Sequence, residues 1–215
     1  MSLELFGHPF SSYTWKALIA LYDTKTPFEF RNIAGDQYPE NEAAFLDHWP
    51  VGKFPLLVEE GVPTMESSII IERVAPRLVP ADPASALEAR MLDRIFDNHV
   101  MTPVQAIVSE HLPFITEKPD EARIARARAA LDKVYPWLDS RLAGRQWAAG
   151  EEFTVADCAG APSLFYADWV QRIPEALGSL KAYRARVLAR PSVARVVDEA
   201  RPYRALFPLG APERD

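Results

Sequence analysis

Apolar and polar positions follow two different rhythms along this chain. Up to about Ala75 the apolar residues come in short runs. Leu3, Leu5 and Phe6 make a strand-like piece that stops at Gly7-His8-Pro9. Trp15, Leu18, Leu21 and Tyr22 then recur at the spacing of a helix face, with Ser11 or Ser12 placed to cap its start. A β-rich piece runs from Phe28 to Ile33, and a weak helical pattern from Glu40 to Asp47. Pro55 to Val58 and Val62 to Met65 flank Glu59-Glu60-Gly61 as the arms of a hairpin. Glu66-Ser67-Ser68 opens a further helix, Ile69 to Ala75. The order β-α-β-α-β-β-α predicts a small sheet covered by helices.

Pro76, Pro80 and Pro83 then interrupt any regular helix, and residues 77–84 read as a linker. Beyond it the strand signals vanish. Leu87, Met91, Leu92, Ile95 and Phe96 share one helical face, as do Ile124, Leu131, Val134 and Leu138, and again Leu180, Tyr183, Val187 and Leu188. The prolines at 113, 119, 136, 162, 174, 191 and 202 read mostly as helix starts or breaks. The expectation is an α+β domain over residues 1–76 followed by an all-α helical bundle over residues 85–215.

With 215 residues the chain is long enough for two such domains, each with a real core. A net charge of -6 sets it apart from proteins that bind nucleic acid through a basic surface. One cysteine excludes an internal disulfide framework and a cysteine-cluster metal site. The four histidines, His8, His48, His99 and His111, show no ligand spacing, so no metal is expected. The opening MSLELFGHPF has no basic region ahead of an apolar stretch, and runs such as Ala17 to Tyr22 are too short to span a bilayer. A cytoplasmic protein without membrane partners is the expectation.

Four motifs, in order, carry a family resemblance. Leu5-Phe6-Gly7-His8-Pro9-Phe10-Ser11-Ser12, followed by Lys16, resembles the first strand, catalytic loop and first helix of cytosolic glutathione transferases, here of a bacterial, serine type. Gly52-Lys53-Phe54-Pro55-Leu56-Leu57 is similar to the loop where that family has a cis-proline opening its third strand. Glu66-Ser67 resembles its acidic-Ser pair, and Thr154-Val155-Ala156-Asp157 the structural capping box of its helical domain. The resemblance spans nearly the whole chain. It implies a thioredoxin-like domain followed by a helical bundle, glutathione as cosubstrate, and a homodimer. The helix beginning near Ala84 has apolar residues enough for a partner face, though a monomer core would use them equally well.

Each residue has a physical part to play under that resemblance. A free thiol titrates near 8.5, so holding it about 90% ionised at neutral pH requires a shift of about two units, or ~3 kcal/mol. A hydrogen bond to a charged group contributes roughly 1.5–3 kcal/mol and a helix N-terminus about 0.3–1. Ser11 occupies the catalytic position, with Ser12 and Tyr13 as neighbouring hydroxyls; a capping role alone would also explain a serine there. The backbone of Phe54 beside Pro55 suits pairing with an extended peptide. Glu66 suits an ammonium, Ser67 at a helix start a carboxylate, and Lys53 a second carboxylate. Phe10, Met101 and Phe114 are the candidates for an electrophile pocket. Cys158, at an apolar helix start, reads as a small core residue.

Two other readings stay open. Ser11-Ser12-Tyr13 also resembles the Ser-Ser-Cys signature of zeta-class enzymes, the maleylacetoacetate isomerases, although Tyr13 stands where that class has Cys and Glu66 where it has Gln. The same fold also serves as a non-catalytic binding module, against which the joint presence of Ser11, Glu66 and Ser67 argues.

Overall fold

The computed structural model describes residues 2–215, apart from the side chain of Asp36. Its first third contains β1 (Leu3–Gly7), α1 (Ser12–Thr24), β2 (Glu29–Asn32), α2 (Pro39–His48), β3 (Leu56–Glu59), β4 (Val62–Thr64) and α3 (Ser67–Val74). The strands form one sheet in the order β2-β1-β3-β4, with β2 parallel to β1 and both other pairings antiparallel. Alternation along β1 decides what covers each face. Leu5 and Leu57 point to the side packed by α1 and α3, while Phe6, Leu56 and Val58 meet Phe45 of α2 on the other. This is the sheet with helical cover expected from the sequence.

Helix α1 is buried almost all round, because the helical domain closes the side that the sheet leaves open. Trp15, Leu18, Ile19 and Leu21 lie in one core with residues of the second domain, and the Trp15 ring is 4.9 Å from that of Phe165. A 3₁₀ turn, Pro76–Leu78, leads to α4 (Pro83–Ile95), whose first turn is capped by the Asp82 carboxylate accepting from Ser85 N–H at 2.9 Å. A π turn, Phe96–Met101, continues into α5 (Thr102–Ser109), and Pro103 lies just beyond it. Then come α6 (Glu121–Leu142), α7 (Val155–Val170), α8 (Gly178–Leu188), α9 (Pro191–Ala200) and a 3₁₀ segment, Arg201–Leu206.

All 16 residues of α7 are buried, which makes it the axis of the second domain. Its start is fixed as the capping motif requires: Thr154 N–H donates to Asp157 Oδ2 at 2.8 Å. The other oxygen of Asp157 accepts from Ala148 N–H and from the Tyr183 hydroxyl, both at 2.8 Å. Cys158 beside it is buried, and that burial pushes its thiol well above the ordinary range.

Two expectations fail here. Pro136 and Pro162 lie inside α6 and α7 and do not end them. Each removes one helix hydrogen bond, and the burial of the surrounding apolar residues outweighs that loss. Leu87 and Met91 do not share the buried face with Leu92 and Phe96; they are 70% and 42% exposed. The buried stripe of α4 is Ala86, Ala89, Leu92 and Asp93, small enough to let α7 approach closely.

Candidate functional site

The turn between β1 and α1 is built by close approach. A Cβ on Gly7 would lie 2.6 Å from the Thr14 methyl, so only glycine lets the strand end under the helix start. The Trp15 indole N–H donates to Pro9 C=O at 2.7 Å, and the Tyr166 hydroxyl to Phe10 C=O at 2.8 Å. Ser11 N–H donates to His8 C=O at 3.0 Å. The Ser11 hydroxyl accepts from Thr14 N–H at 3.3 Å and so caps α1, which leaves its own O–H proton free to donate elsewhere.

Two cavities meet at this turn. The larger, about 560 Å³, is walled by Phe10, Met101, Val104, Val108, Leu112 and Phe114, together with Leu206, Phe207 and Pro208. Its polar lining comes from His8, Ser11 and Ser12, with Gln105 and Ser109 on α5. Met101 is buried, whereas Phe114 is 82% exposed at the rim. The smaller cavity, about 260 Å³, is lined by Tyr13, Trp49, Lys53, Phe54, Pro55, Met65, Glu66 and Ser67, and across from them by Arg94, Asp97 and Asn98. Phe54 borders both. The three candidate hydroxyls therefore separate: Ser11 and Ser12 line the apolar cavity, Tyr13 the polar one.

The Phe54–Pro55 bond is cis, and the Phe54 backbone makes no backbone hydrogen bond among the described residues. Glu66 is held at φ 67°, a conformation that costs a non-glycine residue about 1–3 kcal/mol, and it directly precedes the first turn of α3. Ser67 is buried at that first turn; Glu66 and Lys53 are exposed. Burial pushes the Tyr13 phenol up to about 12, reinforced by Asp97, so at neutral pH it remains a protonated donor.

Beneath the polar cavity lies a buried charge cluster that sequence reasoning did not find. Lys16 is 1% exposed. Its ammonium lies 2.8 Å from Asp93 Oδ1 and 2.6 Å from Asp97 Oδ2, and donates to the Ser68 hydroxyl at 3.0 Å. Arg94 closes the cluster from the surface, pairing with Asp93 at 2.6 Å and Asp97 at 2.9 Å and bonding to Ser68. Burial pushes the Asp97 carboxyl up, while Lys16 pulls it down. His8, for which the sequence shows no ligand spacing, also lines the larger cavity. A histidine immediately before proline at a strand end was the one available signal.

Family models described as "Glutathione S-transferase, N-terminal domain" and "Glutathione S-transferase, C-terminal domain" match residues 5–77 and 95–191. Between them they span most of the chain. The chain belongs to the glutathione S-transferase family. Among relatives of this family member, Glutathione S-transferase GstB of Escherichia coli (strain K12) is 28% identical over 203 residues, covering 91% of this chain and 97% of its own. FtsZ-localized protein A of Caulobacter vibrioides is 28% identical over 207 residues, covering 89% and 90%. The fold matches that of a solved glutathione S-transferase from Methylobacillus flagellatus with glutathione bound, at a TM-score of 0.76 and 23% identity over 91% of this chain and 98% of that one. Among the described residues, no helix is long and apolar enough to cross a membrane.

Proposed function

We propose that the polar cavity holds glutathione and the apolar cavity its electrophilic partner, with the sulfur at their border beside the Ser11 hydroxyl. The observation that carries this is the pair of adjoining cavities of opposite character, with Phe54 bordering both and the free O–H of Ser11 on the apolar side. The unpaired Phe54 backbone receives the peptide as an added strand. Glu66 meets the γ-glutamyl ammonium, Ser67 and the α3 N-terminus its carboxylate, and Lys53 the glycyl carboxylate.

Ser11 donates to the sulfur and stabilises it as the thiolate; it does not attack. The thiol proton leaves to solvent, the sulfur forms its bond to the electrophilic carbon, and a leaving group such as chloride departs with the bonding pair. Holding both partners in adjoining cavities supplies the remaining advantage by proximity. Ser12 lines the same cavity, and Tyr13, on the polar side, contributes to glutathione binding.

The deciding experiment is titration of the ultraviolet thiolate band of bound glutathione, alongside conjugation of a chloronitrobenzene. A band appearing well below the free thiol's titration, with turnover, supports the reading; a folded protein that neither shows it nor binds glutathione-agarose overturns it. That second outcome supports a binding module, a reading favoured by the relative named for its localisation with FtsZ. Turnover of maleylacetoacetate in place of the chloronitrobenzene supports the isomerase.

We further infer that two copies pair through α3 and α4. Ile69, Leu87 and Met91 are exposed apolar side chains on these helices, and the Glu72–Arg90 ion pair at 2.7 Å ties the two together one turn away. A cytoplasmic location completes the proposal, since glutathione and a reduced Cys158 both belong there.

A further inference from the structure

His8 is locked into one tautomer by its own turn. Phe10 N–H donates to its Nδ1 at 3.0 Å, which requires Nδ1 to carry no proton and places the proton of the neutral ring on Nε2. The ring is held between Phe54, stacked at 6.4 Å, and Tyr203, edge-on at 5.6 Å. Among the described residues Nε2 has no hydrogen-bond partner, and it is not sealed in the interior. The ring lines the same apolar cavity as Ser11 and Ser12. Burial keeps the imidazole pKa below its ordinary value, so the neutral form persists at neutral pH.

Apart from Gln105 and Ser109 on α5, the polar groups of this cavity come from the turn at one end, and an apolar wall surrounds most of the rest. A substrate matching it carries an apolar body and one hydrogen-bond-accepting oxygen within a few bonds of the electrophilic carbon. We propose that His8 is a further catalytic residue, donating Nε2–H to the carbonyl oxygen of an α,β-unsaturated carbonyl compound while the thiolate attacks its β-carbon. The proposal rests on the two-cavity reading above. In the step, the sulfur–carbon bond forms and the C=C pair moves to give an enolate, whose oxygen His8 holds. Water then delivers a proton to the α-carbon and the carbonyl re-forms. The net change is addition of the thiol across the double bond, with no oxidant or reductant.

The test uses cinnamaldehyde and two variants. His8→Asn keeps an acceptor for the Phe10 N–H, as Asn32 Oδ1 does for Ala34 N–H at 2.8 Å, but its amide is too short to replace Nε2–H. His8→Gln restores a donor of longer reach. The wild type adds glutathione to cinnamaldehyde; in His8→Asn kcat falls on the order of ten- to hundred-fold, with the KM for glutathione and the thiolate titration unmoved. His8→Gln recovers part of the loss. A normal thiolate titration with kcat unchanged in His8→Asn overturns the role of His8 alone. So does a thiolate titration that moves together with kcat, because His8 would then only position Ser11, and so does a wild type that forms the thiolate but leaves cinnamaldehyde untouched. Absence of the thiolate band in the wild type overturns the two-cavity reading, and this proposal with it.

Discussion

The ammonium of Lys16 lies 2.6 Å from the carboxylate of Asp97, 81 residues further along the chain. One partner stands on the first helix of the sheet domain, the other in the π turn of the helical domain. Because Asp97 also lines the polar cavity, the pair couples the docking of the two domains to the shape of the proposed glutathione site.

Lys16→Met leaves the carboxylates of Asp93 and Asp97 buried with only Arg94 to balance them. Breaking a buried ion pair from one side costs about 3–5 kcal/mol. Urea unfolding of Lys16→Met is therefore expected to show a midpoint far below that of the wild type. A midpoint within experimental scatter of the wild type would mean that the pair contributes nothing to domain docking.

Ser11→Ala removes both a helix cap and the proposed donor to sulfur. The cap is worth about 0.5–2 kcal/mol of stability. Loss of a hydrogen bond to a charged group, roughly 1.5–3 kcal/mol, raises the apparent pKa of bound glutathione by about one to two units. Turnover at neutral pH falls accordingly and recovers as pH rises, because the thiolate then forms unaided. Tyr13→Phe is expected to leave that titration in place, since its phenol lines the other cavity. A titration shifted by Tyr13→Phe and not by Ser11→Ala would exchange their roles.

Local patterns made some of this legible. The serine cap of α1, the succession of strands and helices in the first domain and the helical second half follow from spacing and capping chemistry that act within a few residues. The burial of Lys16 does not, because its partners lie on α3, on α4 and in the π turn that follows it, and only the folded chain brings them together. The face of α4 was misread for a related reason. It carries apolar residues on two sides, and the core takes the side with Ala86 and Ala89, where small side chains admit α7. Pro162 illustrates a third limit: a residue that breaks isolated helices survives where all its neighbours are buried.

His8 makes the stability of the turn depend on pH. Its folded pKa lies below the ordinary 6.5, with burial as the cause; the titratable group facing the ring is Tyr203. Below that ordinary value the unfolded chain takes up a proton that the folded chain resists. The histidine's contribution is thus fully present above 6.5 and is lost as pH falls through the lowered folded value. Thermal midpoints of the wild type should drop over this window relative to those of His8→Asn, which has no imidazole to charge. Parallel curves for the two proteins would contradict the half-buried, neutral ring.

Leu87 stands 70% exposed on α4, and Ile69 54% exposed on α3. Apolar side chains this open, on helices already tied by Glu72 and Arg90, mark a surface that a second copy would cover. Leu87→Lys places a charge where burial in a pair would desolvate it, while in a monomer the lysine stays in water at almost no cost. Sedimentation is therefore expected to show a dimer for the wild type and a shift to monomer for Leu87→Lys at the same concentration. Because the substitution touches neither cavity, the thiolate titration of glutathione bound to the monomer separates the two effects: if it is unchanged, each copy carries a complete glutathione site, and if it is lost with the dimer, the second copy completes that site.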